Sequence, residues 1–153
     1  DIVISAEYID ENGEIRTIKK DEMNLSYRHS IFSDSDYIIT SVTIELSDGN
    51  SDEIKAHMTE CMAKRSSKQP LEYPSAGSTF KRPEGSYASL LIDQCGLKGF
   101  TCGGAMVSEK HSGFVINKGF ATGSDVLELG DKVKANKKKK TGYELELEPV
   151  VLK

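Results

Sequence analysis

The residues best suited to chemistry fall in four places. Tyr27 and Arg28 follow a polar stretch, and an arginine presents a rigid fork of donors that suits a carboxylate or a phosphate. Residues 74–81 (PSAGSTFK) surround Ser78 with small side chains, which lets a backbone or a ligand approach closely, and end on Lys81. Residues 96–104 (GLKGFTCGG) are rich in glycine. The closing segment carries Glu144, Glu146 and Glu148 at alternate positions, one face of an extended strand.

Each of these has a plainer reading. Arg28 is equally an ordinary exposed arginine, and the serine segment a turn-rich loop. Its spacing is not the GxSxG elbow of hydrolases. The glycine segment lacks GxGxxG spacing and no helix follows it, so tight turns explain it better than a dinucleotide cradle. Three carboxylates on one strand face are usually solvated, although one of them facing a cleft would serve as an acid or electrostatic partner. His29, His57 and His111 are scattered without ligand spacing, so no metal site is expected. The three cysteines, Cys61, Cys95 and Cys102, are odd in number and form no CxxC pair, which argues against a disulfide framework. Cys61 and Cys95 fall at apolar helical positions and are expected in the core.

These residues need elements to position them. Residues 2–9 and 14–18 read as two strands joined by the turn DENG, a hairpin. Residues 19–32 read as a short helical turn and loop, and residues 37–46 as a third strand. The turn formers at 47–51 mark a domain boundary. Asn50 and Glu53 have capping-box spacing, and Ile54, Met58, Cys61, Met62 and Arg65 follow at helical intervals, so residues 51–67 read as an amphipathic helix. Three of the four prolines lie in 69–85, which reads as a loop with little regular structure. A short helix over 86–95 ends at Gly96, and extended pieces follow near 100–102, 105–108 and 113–117. Thr122 or Ser124 caps a last helix to about residue 138, and a final strand runs over 143–152. Lys137, Lys138, Lys139 and Lys140 stand where cations complement a helix C-terminus.

The chain has 153 residues, 37% hydrophobic and 29% charged, with a net charge of −4. That is a globular composition without the basic excess of a nucleic-acid binder. No apolar run approaches the roughly 20 residues of a membrane span, and no secretory signal is evident, so a cytoplasmic protein is expected. The fold class expected is α+β.

The string KQPLEYPSAGSTFKRP (68–83) resembles the signature of the UDP-N-acetylenolpyruvoylglucosamine reductases. In matching order come YRHSIF (27–32), LIDQCGLKGFTCGGAMVSEKH (91–111), FVIN (114–117) and GYELELE (142–148). The resemblance covers nearly the whole chain and points to the compact branch that lacks an extra tyrosine-bearing loop. It implies that residues 1–48 are the end of an FAD-binding domain and residues 49–153 an α+β domain for the UDP-sugar substrate. The family's first domain and FAD-phosphate loop have no counterpart here, and the chain opens on Asp1 without Met, so a fragment of about half an enzyme is expected.

The activity implied is reduction of UDP-N-acetylglucosamine enolpyruvate to UDP-N-acetylmuramate for peptidoglycan, with FAD and NADPH as cofactors. By the same resemblance Ser78 matches the proton donor, Arg28 the residue that grips the substrate carboxylate, and Glu148 the carboxylate opposite. The family usually reads LEPEV where this chain reads LELEP, which leaves Glu146 as an alternative to Glu148. Tyr27 and Lys81 are expected beside the substrate, Lys68 near its diphosphate, and Arg82 and His111 at the uridyl diphosphate. The other reading is a non-catalytic nucleotide-sugar-binding module.

Overall fold

A computed structural model of the chain describes residues 2–141 and 144–151. The chain divides into two compact units, residues 1–54 and 55–153. The division falls in the first turn of a helix, a few residues beyond the turn formers at 47–51.

Unit 1 is a three-stranded antiparallel sheet of β1 (Val3–Ile9), β2 (Ile15–Lys19) and β3 (Ile38–Ile44) in the order β2-β1-β3. The β1–β2 turn is built on one carboxylate. Asp10 Oδ1 accepts the backbone N–H groups of Asn12 and Glu14 at 2.9 and 3.0 Å, and Oδ2 accepts Arg16 Nε at 2.6 Å. The Arg16 bond, then the Glu14 amide, hold the Asp10 carboxyl below its ordinary range. Two 3-10 turns, Lys20–Glu22 and Ile31–Asp34, follow β2. Ala6, Ile18 and Met23 are buried, with Ile31 and Phe32 packed against them. Ile4, Val42 and Ile44 stay exposed, and β3 is exposed along its whole length.

The helix expected over 51–67 is α1 (Ser51–Lys68), with Asn50 Oδ1 accepting the N–H groups of Asp52 and Glu53 at 2.9 and 3.2 Å. Its stripe of Ile54, Met58 and Met62 is 50%, 65% and 56% exposed. Cys61 is exposed too, against the expectation of a core position, because none of α1 is buried. Helical spacing gives a stripe its direction but not a partner.

Unit 2 holds a second antiparallel sheet of β4 (Ser75–Ser78), β5 (Thr101–Cys102), β6 (Ala105–Val107) and β7 (Phe114–Asn117), in the order β4-β7-β6-β5. Two helices join it: α2 (Ala88–Gln94) and α3 (Gly123–Thr141). Alternation along β6 and β7 sends Ala105, Val107 and Val115 to one core, with Ile92 of α2 and Leu129 and Val133 of α3. It sends Met106, Phe114 and Ile116 to the other face, against Tyr73. Ile92, Leu129 and Val133 have no exposed surface, and burying a side chain of that size stabilises by about 1.5–3 kcal/mol. Gly96 ends α2 at φ +68°. Of the two candidate caps for α3, Thr122 is the one used: its Oγ1 accepts Asp125 N–H at 3.2 Å and Asp125 Oδ2 accepts Thr122 N–H at 2.8 Å.

Two expectations change. Residues 75–78 lie inside the expected loop yet form β4, paired irregularly with β7 through Ser75↔Ile116 and Ser78↔Phe114. The expected strand over 143–152 is a single bridge, Phe80↔Leu147, among the described residues; Tyr143 and Leu152 lie outside them. Pairing stops beside Thr79, which turns its N–H to Gly113 rather than to the closing segment. No helix of the described residues is long and apolar enough to cross a membrane.

The tightest backbone approach is at the β5–β6 turn, where a Cβ on Gly104 would collide with the Gly119 carbonyl and the Ala121 backbone. Gly104→Ala is expected to destabilise the protein by about 1–3 kcal/mol. Gly123→Ala, at an open position that starts α3, is expected to be neutral or slightly stabilising. Urea unfolding midpoints of the two variants test this.

Candidate functional site

Ser78 stands at the exposed end of β4, just after Gly77 at φ +83°. Its neighbour Thr79 is 2% exposed and fully engaged. Thr79 N–H donates to Gly113 O at 2.8 Å, its carbonyl accepts Glu148 N–H at 3.0 Å, and its Oγ1 accepts Val115 N–H at 2.9 Å. Phe80 points into the core, and Lys81 N–H donates to Glu146 O at 2.9 Å. The segment 79–81 is therefore held between β7 and the closing segment 146–148, with Ser78 at its exposed end.

The alternation read from sequence holds in the closing segment. Leu145 is buried and Leu147 packs on the same core, which turns Glu146 and Glu148 away from it. Lys81 Nζ donates to Glu146 Oε2 at 3.1 Å across the pair. Glu148 lies directly opposite Thr79, beside Ser78. The two carboxylates left open by the sequence thus differ: Glu146 is the ion-pair partner of Lys81, and Glu148 is nearer the serine along the chain pairing.

Arg82 and His111 meet a second feature. The Arg82 guanidinium lies 4.1 Å from the ring centroid of Tyr87. Tyr87 and His111 line an open pocket of about 420 Å³ together with Asp93, Lys98 and Lys110. His111 is fixed by its ring, which stacks edge-on against Phe114 at 4.9 Å and accepts Gly113 N–H at Nδ1. Lys110 Nζ reaches Ser66 O at 2.8 Å and Glu72 Oε2 at 3.4 Å. The Glu72 carboxyl is held below its ordinary range, chiefly by its own backbone N–H and then by Lys110. Lys68 is exposed at the end of α1. Sequence reasoning missed Lys110 and Tyr87. The spacing of Arg82 and Tyr87 carries no signal, because the Gly85 turn brings them together.

Tyr27 and Arg28 belong to unit 1. They sit at the tip of a tight turn closed by Ser26 N–H to His29 O at 3.0 Å and the reverse bond at 3.3 Å. Arg28 has φ 56°, a left-handed conformation that costs a side-chain-bearing residue about 1–2 kcal/mol and that glycine or asparagine usually fills. Strain of this kind persists where the surrounding structure over-determines it, here through the paired Ser26–His29 bonds that close the turn.

Comparison with known proteins places these residues in context. The family model described as UDP-N-acetylenolpyruvoylglucosamine reductase, C-terminal domain, matches residues 69–152. The UDP-N-acetylenolpyruvoylglucosamine reductase of Agathobacter rectalis is 51% identical over 148 residues, 97% of this chain and 47% of that protein. The one from Clostridium perfringens strain SM101 is 52% identical over 147 residues, 96% of this chain and 48% of that protein. The crystal structure of UDP-N-acetylenolpyruvylglucosamine reductase from Thermus caldophilus superposes with a TM-score of 0.80 at 33% identity, over 96% of this chain and 52% of that one. The chain spans about half the length of the curated relatives it matches.

The geometry makes Thr79 the residue that holds Ser78 in place. Thr79→Val would leave the Val115 N–H buried without an acceptor and is expected to cost about 1–3 kcal/mol. Thr79→Ser keeps the acceptor and should lose clearly less. Urea unfolding of both variants checks the order.

Proposed function

Because this chain belongs to the UDP-N-acetylenolpyruvoylglucosamine reductase family, we propose that it carries the substrate-binding half of an oxidoreductase that reduces UDP-N-acetylglucosamine enolpyruvate in peptidoglycan synthesis. Residues 49–153 are read as the substrate domain and residues 1–48 as the end of a flavin domain. The single observation that carries the reading is the clamp on Thr79, which leaves Ser78 exposed at the end of β4, one residue before the backbone pairing with Glu148 and three before Lys81, the ion-pair partner of Glu146.

Reduction of the enolpyruvyl double bond takes a hydride at one carbon and a proton at its neighbour. FAD, itself reduced by NADPH, is the group that supplies the hydride in this family. The described residues offer it no phosphate cradle: the glycines of 96–104 build the end of α2 and the β5–β6 turn.

Ser78 is the proposed proton donor. A hydroxyl is a weak acid, so the alkoxide it leaves needs a positive neighbour, and Lys81, three residues along and fixed by Glu146, is the proposed one. This gives Glu146 the task of orienting Lys81 and leaves Glu148 as the carboxylate facing the substrate. Arg28, with Tyr27, is proposed to grip the enolpyruvyl carboxylate, where charge builds during reduction. The pocket of His111, Lys110 and Tyr87 suits a uridyl diphosphate, with ring faces for the base and cations for the phosphates. Arg82 closes over Tyr87, and Lys68 is assigned to the diphosphate.

The test uses the full-length protein that contains this chain. Ser78→Ala is expected to leave flavin reduction by NADPH unchanged and to slow flavin reoxidation by substrate about 10²- to 10⁴-fold, the usual worth of a general acid. Ser75→Ala, in the same strand, should behave like the parent. Stopped-flow flavin absorbance separates the two half-reactions. Reoxidation at the parent rate in Ser78→Ala would remove the serine from its role.

A further inference from the structure

Three side chains that the reading above leaves unused meet at the outer edge of the second sheet. Cys102 ends β5, and Glu128 and Lys132 stand one turn apart on α3. Lys132 Nζ lies 2.7 Å from Glu128 Oε1 and donates to Cys102 Sγ at 3.3 Å. The Glu128 carboxyl is held below its ordinary range, by Lys132 first and Cys102 second. The Lys132 ammonium is held above its ordinary range, by Glu128 first and Cys102 second. Cys102 is half-buried, and the Lys132 and Glu128 side chains are 45% and 59% exposed, so a small reagent can reach all three.

The backbone keeps them together. Gly103 turns the chain between β5 and β6 at φ +53°, and a Cβ there would collide with the carboxylate of Asp125 in the first turn of α3. Gly104 is pressed on the backbone of Gly119 and Ala121. β5 is thus seated on α3 by the turn that follows it, and the sulfur and the amine face each other in a framework with little freedom. The protein supplies its own comparators. Cys61 is exposed beside His57 Nε2 at 3.6 Å, and Cys95 is buried.

We propose that Cys102 and Lys132 form a redox-sensitive modification site, closed by peroxide into a covalent sulfur–nitrogen bridge and reopened by thiols. The first step is attack of the Cys102 sulfur on the peroxide. The S–O bond forms, the O–O bond breaks, sulfur is oxidised by two electrons, and water leaves, giving a sulfenic acid. The neighbouring Lys132 cation favours the negative charge that develops on the sulfur. In the second step the Lys132 ammonium gives up one proton to a base in solution and its nitrogen attacks the sulfur. The S–N bond forms, the S–O bond breaks, and the hydroxyl leaves as water with a further proton from the nitrogen. The sum is thiol, amine and hydrogen peroxide going to a sulfenamide and two waters. A thiol reductant attacks the bridged sulfur, frees the amine, and a second thiol restores Cys102.

The experiment is peroxide treatment of the purified protein, followed by proteolysis and mass spectrometry, with and without dithiothreitol. The expected product is a peptide pair joined through Cys102 and Lys132, uncut after Lys132, lighter than its two parts by two hydrogen atoms, and lost on reduction. The melting temperature should rise on bridging and return on reduction. Lys132→Arg keeps the positive charge beside Glu128 but offers a poor nucleophile, so Cys102 should then stop at a sulfenic acid that dimedone traps. Recovery of Cys102 as a free thiol under peroxide that oxidises Cys61 would overturn the proposal. So would sulfinic acid at Cys102 without the joined pair, or an equal yield of joined pair in Lys132→Arg.

Discussion

Two backbone hydrogen bonds organise the second unit: Lys81 N–H to Glu146 O, and Glu148 N–H to Thr79 O. They join segments more than sixty residues apart in sequence, and they fix orientation as well as proximity. With Phe80 opposite Leu147, both apolar side chains face the core, and the polar neighbours on either side must face away from it. A slip of one residue would bury Glu146 or Glu148 and expose Leu147, a change the core cannot accommodate. The register is thus set by hydrophobic burial, and the positions of the carboxylates follow from it. Thr79 extends the same constraint to β7, because its hydroxyl replaces a ladder acceptor for Val115 at a point where the strand pairing is irregular.

The electrostatics of the region are local rather than global. The chain is acidic overall, at −4, yet Lys98, Lys110 and His111 line one pocket and Arg82 stacks on its tyrosine wall. Each of the two lysines has an acidic companion, Asp93 at 2.8 Å from Lys98 and Glu72 at 3.4 Å from Lys110. Exposed pairs of this kind contribute little to stability, but they hold long side chains in one direction. Their worth is in presenting donors to an anion, in keeping with a nucleotide diphosphate as the proposed ligand.

Much of this was legible in sequence where one element carries its own signal. The hairpin was readable from its turn, α1 from Asn50 and the helical spacing, the end of α2 from Gly96, and the start of α3 from Thr122. The serine segment stood out by its small residues. What was not legible depends on a partner. β4 is four residues with small side chains, and only β7 beside it makes it a strand. The closing segment alternates like a long strand but pairs at one bridge, because Thr79 directs its N–H elsewhere. Cys61 lies on an apolar stripe that nothing in the described core covers, so its spacing did not translate into burial. What distinguishes Glu146 from Glu148 is the ion pair with Lys81, a contact that no one-dimensional pattern contains.

The closing segment is locked to the serine strand in one register. Amide hydrogen exchange resolved by residue tests it most directly. The amides of Lys81 and Glu148 are expected to exchange slowly, on the scale of Val115 in β7, and Phe80→Ala to accelerate both together. Exchange of Lys81 and Glu148 as fast as an open loop, with Val115 still protected, would contradict that register.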